Sequence, residues 1–163
     1  MKEILIISTG GTFNKIYNPI NGQLEIDTKN QALNILAKCW MVDFNIINII
    51  GKDSLDMTDE DRDIIAQTIK SSSIENIIVI HGTDTMDLTA QYLAEYNLGK
   101  KIILTGSMIP FSINPIEATA NFSCAYGYLS NIKKLGVYIS MNGIIGSFEY
   151  ISKNREKGFF EKR

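Results

Sequence analysis

Five short runs of β-branched and aliphatic residues punctuate the chain: Glu3 to Ser8, Phe44 to Ile50, Asn76 to His81, Lys101 to Thr105 and Gly136 to Met141. Their apolar character is continuous rather than alternating, the pattern of strands covered on both faces. Between them lie stretches of helical length and period, Thr28 to Lys38, Thr58 to Lys70, Asp84 to Tyr96 and Pro115 to Leu129. Thr58 with Asp61 three residues on is a good helix opening. Strand and helix alternate, which predicts a single α/β domain built on a doubly wound, mostly parallel sheet, a three-layer arrangement of the flavodoxin or Rossmann kind. The stretch YNPINGQ, Tyr17 to Gln23, interrupts this order with a proline and an Asn-Gly pair, predicting a tight turn in an exposed, mobile hairpin. The charged end, Lys153 to Arg163, reads as a frayed terminus or a lost connection.

Composition narrows the ligand. With 163 residues, 45% of them hydrophobic and 21% charged, the chain suits one globular domain with a real core. A formal net charge of -2 offers no basic excess for nucleic acid or an anionic membrane, so a small molecule is the expected partner. Cys39 and Cys124 form no CxxC or Cys/His grouping, and His81 is the sole histidine, so neither metal nor cofactor is expected. The opening MKEILIIS is too short an apolar run for a leader or a membrane span, which predicts a cytoplasmic protein.

In a doubly wound fold, ligands bind beyond the carboxyl ends of the strands, near the point where strand order reverses. The positions just after the apolar runs are Thr9-Gly-Gly-Thr12, Asp53-Ser54-Leu55-Asp56, His81-Gly-Thr-Asp-Thr-Met86 and Thr105-Gly-Ser-Met108. Four polar, glycine-bearing loops should therefore share one rim. The first matches neither GxGxxG nor GxxxxGK followed by Ser or Thr, and no helix follows it directly to hold an anion. It remains open whether TGGT is a plain glycine turn or presents Thr12 to a substrate. HGTDTM gathers two hydroxyls and a carboxylate at the head of a helix that Thr83 or Asp84 could simply cap. His81 itself, ending an apolar strand, reads as a packed structural histidine. A threonine hydroxyl becomes a good nucleophile only beside a base, and a lysine held by a carboxylate can serve; Thr83, Asp84 and Lys100 would supply that chain.

Taken together, TGGT, Ser54 with Asp56-Met57, HGTDTM, and Lys100 followed by IILTGSM resemble the bacterial-type L-asparaginase family, in loop wording its cytoplasmic type I branch. The resemblance runs across essentially the whole chain and implies residues 1–163 to be the family's N-terminal domain, a doubly wound α/β unit, with the C-terminal domain absent. It implies hydrolysis of L-asparagine to L-aspartate and ammonia through a threonine acyl-enzyme, with L-glutamine as a second amide. Thr12 would be the nucleophile, Thr83 the second catalytic threonine, and Asp84 and Lys100 the rest of the relay. Gly11 and Thr83 would offer backbone N–H groups to the oxyanion, Ser54 would bind the substrate α-carboxylate and Asp84 its ammonium, and Tyr17 would be the lid tyrosine. A weakly active relative that binds an amino acid or a protein through the same rim is the alternative.

Two features depart from the family pattern. Leu55 stands where many members carry a polar residue, and the chain is short. The late apolar residues Ile144, Ile145, Phe148, Tyr150, Ile151, Phe159 and Phe160 follow the last expected strand with few partners left. A self-complementary patch of this kind is most commonly hidden in a two-fold homodimer.

Overall fold

The computed structural model describes residues 3–163; Met1 and Lys2, which entered the reading of the N-terminus, lie outside them. A six-stranded sheet forms the middle layer, in the order β4-β1-β5-β6-β7-β8. The strands are β1 (Ile4–Gly10), β4 (Asn45–Lys52), β5 (Asn76–Ile80), β6 (Lys101–Thr105), β7 (Gly136–Met141) and β8 (Ile144–Ser147). The first five run parallel and β8 closes the edge antiparallel.

Successive strand residues face opposite sides, and the isoleucine-rich runs feed two cores accordingly. Leu5, Ile7, Ile77 and Val79 meet Ile65 and Ile69 of α2 (Asp59–Ser71) and Leu93 of α3 (Met86–Glu95). Ile4, Ile6, Ile78 and Ile80 meet Leu33 of α1 (Gln31–Trp40) and Phe122 of α4 (Pro115–Leu129). Thr58 and Asp61 close the expected capping box at the head of α2. The exception to double coverage is β4. It is the sheet edge, and Ile47 is left exposed there.

The chain leaves β1 for β4 on one side, then crosses to β5 on the other, so the switch crevice lies between the ends of β1 and β5. The expected hairpin is present as β2 (Lys15–Asn18) and β3 (Gln23–Ile26), with Gly22 in the left-handed region at its turn. Among the described residues, no helix is long and apolar enough to cross a membrane.

The end of the chain differs most from expectation. Asn142 and Gly143, both at positive φ, turn β7 back into β8, the signature of a two-residue hairpin. Beyond β8, β9 (Ile151–Asn154) and β10 (Phe159–Lys162) pair as a second hairpin. The segment read as frayed is thus ordered, and the reason is alternation. Ile151 and Phe160 are buried in the core, and Phe160 N–H donates to Asn142 Oδ1 at 2.9 Å. Ile144 and Phe148 also pack against the core, so much of the apolar surface offered as a dimer patch is covered by the chain's own fold; Tyr150 and Phe159 stay exposed.

Phe160→Ala should therefore cost about 3 kcal/mol, as for other large core truncations. Urea denaturation would show it; a frayed terminus would give a change within about 0.5 kcal/mol.

Candidate active site

Three rim loops meet backbone to backbone. Gly11 has φ 72°, and a Cβ there would lie 2.5 Å from Gly82 N, so only glycine allows the loop after β1 to touch the loop after β5. Gly82 is in turn pressed against the loop after β4, where an added Cβ would lie 2.6 Å from Ser54 Cβ. The contacts set Thr12, Thr83 and Ser54, each next to or touching one of these glycines, around one point astride the switch crevice.

Thr12 opens a short 3-10 turn over Thr12–Asn14 and is half-buried; among the described residues its hydroxyl has no hydrogen-bond partner. Gly11 N–H donates to the Lys52 carbonyl at 3.0 Å. It is therefore committed to the loop after β4, and of the two amides expected to face an oxyanion only that of Thr83 remains a candidate. Ser54 is fully buried in the turn Ser54–Asp56, its Oγ accepting from Asp84 N–H at 3.2 Å and its carbonyl from Thr85 Oγ1 at 2.8 Å. Neither Thr83 nor Asp84 caps α3, since the capping position is Thr85.

The lysine beside Thr83 and Asp84 is Lys153, on β9. Its Nζ donates to Thr83 Oγ1 at 2.9 Å and to Asp84 Oδ1 at 2.6 Å, with the Lys153 side chain 8% exposed and that of Asp84 36%. Lys153 lies on the same face of β9 as buried Ile151 and directly opposite buried Phe160 on β10, so its aliphatic stem is packed while its ammonium meets the rim.

Lys100 is not part of this cluster. It precedes β6 and therefore sits at the amino end of the sheet, donating to Ser72 O at 2.8 Å. Five strand residues at about 3.3 Å each separate it from the rim, roughly 17 Å. Lys101 is at the same end, paired with Glu75 at 2.8 Å. A cleft of about 480 Å³ adjoins Lys100, between the end of α3 and Phe148, and contains none of the clustered side chains. The signal for Lys153 was available in the sequence: an Asn-Gly turn at 142–143, then Ile151 and Lys153 alternating with polar residues before Gly158.

Tyr17 lies on β2 opposite Leu24 and is 60% exposed; among the described residues no hydrogen bond joins it to Thr12 or the cluster. The hairpin base is nonetheless tied to the site, because Lys15 pairs with Asp53, whose other oxygen accepts from Ser54 N–H. Leu55, beside Ser54, points outward and is 73% exposed.

His81 supports the loop from beneath. A carbonyl can only accept, so Nδ1 carries the proton it shares with Gly82 O at 2.7 Å. Nε2 then accepts from Thr89 Oγ1 at 2.9 Å, and that hydroxyl oxygen accepts from Arg62 Nε at 3.1 Å. Complete burial pushes His81 down to about 4, with the nearby Arg62 charge acting in the same direction. Among the described residues, no three His, Cys, Asp or Glu side chains group as metal ligands would.

Fold and cluster together define a doubly wound α/β domain that carries two threonines, an aspartate and a lysine at its switch crevice. The family model "Asparaginase, N-terminal" matches residues 3–160, and the chain belongs to the asparaginase family. It is 36% identical over 121 residues to L-asparaginase 1 of Escherichia coli, covering 68% of this chain and 35% of that protein. It is 25% identical over 163 residues to the glutaminase-asparaginase of Acinetobacter glutaminasificans, covering 93% and 49%. Its fold superimposes on the probable cytoplasmic L-asparaginase of Campylobacter jejuni with a TM-score of 0.79 at 25% identity, over 99% of this chain and 53% of that one. The chain spans about half the length of that structure and of the Acinetobacter protein.

The neutrality of His81 has a pH signature. Its folded value is lowered from 6.5 to about 4, so the unfolded chain binds more protons between those values. The contribution is fully present above pH 6.5 and is lost as pH falls toward 4, about 3 kcal/mol in all. Urea titrations across that range check it: His81→Asn should be less stable at neutral pH yet lack this component of acid sensitivity.

Proposed function

We propose that this domain hydrolyses the side-chain amide of L-asparagine to L-aspartate and ammonia, with L-glutamine as the second amide to test. One observation carries the reading: Lys153 Nζ bridges Thr83 Oγ1 and Asp84 Oδ1 beside the loop that presents Thr12. A bare threonine hydroxyl gains reactivity from such a base and its orienting carboxylate.

In the first step Thr12 Oγ attacks the amide carbon, its proton passes to the departing nitrogen, and ammonia leaves behind an ester on Thr12. In the second, Lys153 acts as the neutral amine, having given one ammonium proton to solvent; it takes up the Thr83 hydroxyl proton while Thr83 takes a proton from the water that attacks the ester carbon. Asp84 balances the lysine charge, and collapse returns the proton to Thr12 and frees aspartate. The Thr83 amide is a donor for the oxyanion of both intermediates. Ser54 accepts from Asp84 N–H but keeps its own hydroxyl proton, which it can offer to the substrate α-carboxylate. Asp84 Oδ2 is the acceptor for the α-ammonium. Tyr17, two residues beyond Lys15 on the same face of β2, is carried toward Thr12 when the hairpin folds down.

The same reading includes a cytoplasmic location, as is given for the similar Campylobacter jejuni protein, a probable cytoplasmic L-asparaginase. It also includes a homodimer, whose contact surface would use exposed Ile113 and Ile116 at the head of α4; sedimentation at micromolar concentration would reveal a clean monomer if that part is wrong.

Ammonia release by the purified chain tests the activity. Wild type should turn over L-asparagine, Thr12→Ala and Lys153→Met should each lose about 10³-fold or more in kcat, and Lys100→Met should stay within about twofold. A wild-type chain that binds asparagine without releasing ammonia leaves only a binding role. Loss at Lys100 with retention at Lys153 would overturn the relay.

A further inference from the structure

Asp84 is gripped at three places. Its N–H donates to Ser54 Oγ, its carboxylate accepts from Lys153, and its carbonyl oxygen accepts from Arg155 Nη2 at 2.5 Å. The third contact comes from a side chain that is 57% exposed and has Asp87 Oδ1 3.8 Å away as its other acidic neighbour. Arg155 stands two residues after Lys153, immediately beyond β9, so both cations reach the same loop from one edge of the terminal hairpin.

The two contacts differ in what they do for the fold. Ile151 and Phe160 anchor the hairpin in the core, and an exposed arginine adds little to that anchorage. Its Nη2 instead crosses the gap between the hairpin and the head of α3, donating to the Asp84 carbonyl while the Asp87 carboxylate, 3.8 Å from the same nitrogen, adds only a longer charge contact. With the Asp84 backbone held from one side by Ser54 and from the other by Arg155, the carboxylate keeps the orientation in which it meets Lys153. Without that second hold, the loop bearing Thr83 and Asp84 and the strand bearing Lys153 are free to part at the rim while the core beneath stays closed.

We infer that Arg155 is a positioning residue that clasps the terminal hairpin to the Thr83-Asp84 loop and so keeps Lys153 in register with its two partners. The inference rests on the hydrolytic reading for its kinetic consequence, but not for its structural one.

Two measurements on the full chain separate them. Brief acetylation with acetic anhydride, read by peptide mass spectrometry, reports access to each lysine. Lys153 should label several-fold faster in Arg155→Ala than in wild type, while Lys101, a comparably sheltered lysine at 10% exposure, should label at the same rate in both. Kinetics with L-asparagine should show kcat down by about tenfold with KM within about twofold, and partial recovery in Arg155→Lys, whose ammonium can donate to the same Asp84 carbonyl but on a shorter, less rigid side chain. Unchanged labelling of Lys153 would overturn the clasp, and so would a parallel rise at Lys101, which marks general loosening. A wild-type chain that releases no ammonia would sink the hydrolytic reading and leave the labelling to decide on Arg155. Wild-type activity together with an unchanged kcat in Arg155→Ala would sink the clasp and leave the hydrolytic reading standing.

Discussion

The site depends on close approach between backbones. Gly11 against Gly82, and Gly82 against Ser54, bring the loops after β1, β5 and β4 to distances that a single methyl group would forbid. A glycine in this setting costs conformational entropy on folding, and the return is geometric: the residues next to the contacts, Thr12 and Thr83, are held on neighbouring stretches of main chain without spending side chains on the job. Thr9 reinforces the arrangement from below by donating to Ile80 O at 2.8 Å, tying the end of β1 to the end of β5.

Around that framework the charges are arranged to suit partial burial. Lys153 and Asp84 satisfy each other where either alone would be costly to shelter. His81, fully enclosed, is instead kept neutral by its burial, with the Arg62 charge acting the same way, and is oriented by a one-directional chain from Arg62 through Thr89 to its ring and on to the Gly82 carbonyl. The contrast separates roles. The histidine is spent on holding the loop that the lysine and threonines use, which agrees with its burial beneath the rim rather than on it.

Much of this was legible in the chain. The five parallel strands, the four helices, the Thr58 capping box and the 17–23 turn were all written in local pattern, because buried parallel strands and capped helices leave continuous and periodic signatures. That Thr12, Thr83, Asp84 and Ser54 would share one rim was legible because they follow strands directly. Lys153 was not picked out, since it belongs to a hairpin whose two short strands are half polar, and their meaning depends on docking to the sheet edge rather than on local propensity. Lys100 drew attention by adjacency to a conspicuous motif, yet a residue preceding a parallel strand belongs to the far end of the sheet. The Gly11 amide was misjudged for a similar reason, as its partner, the Lys52 carbonyl, is distant in sequence.

We propose that these loops and the terminal hairpin assemble one acyl-transfer site with Thr12 as its nucleophile. Rapid acid quenching of the chain during turnover of L-asparagine, followed by peptide mapping, would trap the intermediate if it forms. A β-aspartyl group is expected on the peptide containing Thr12, accumulating further when Lys153→Met slows the hydrolytic step more than acylation. Acylation of Thr83 in place of Thr12, or turnover with no covalent adduct in either form, would contradict it.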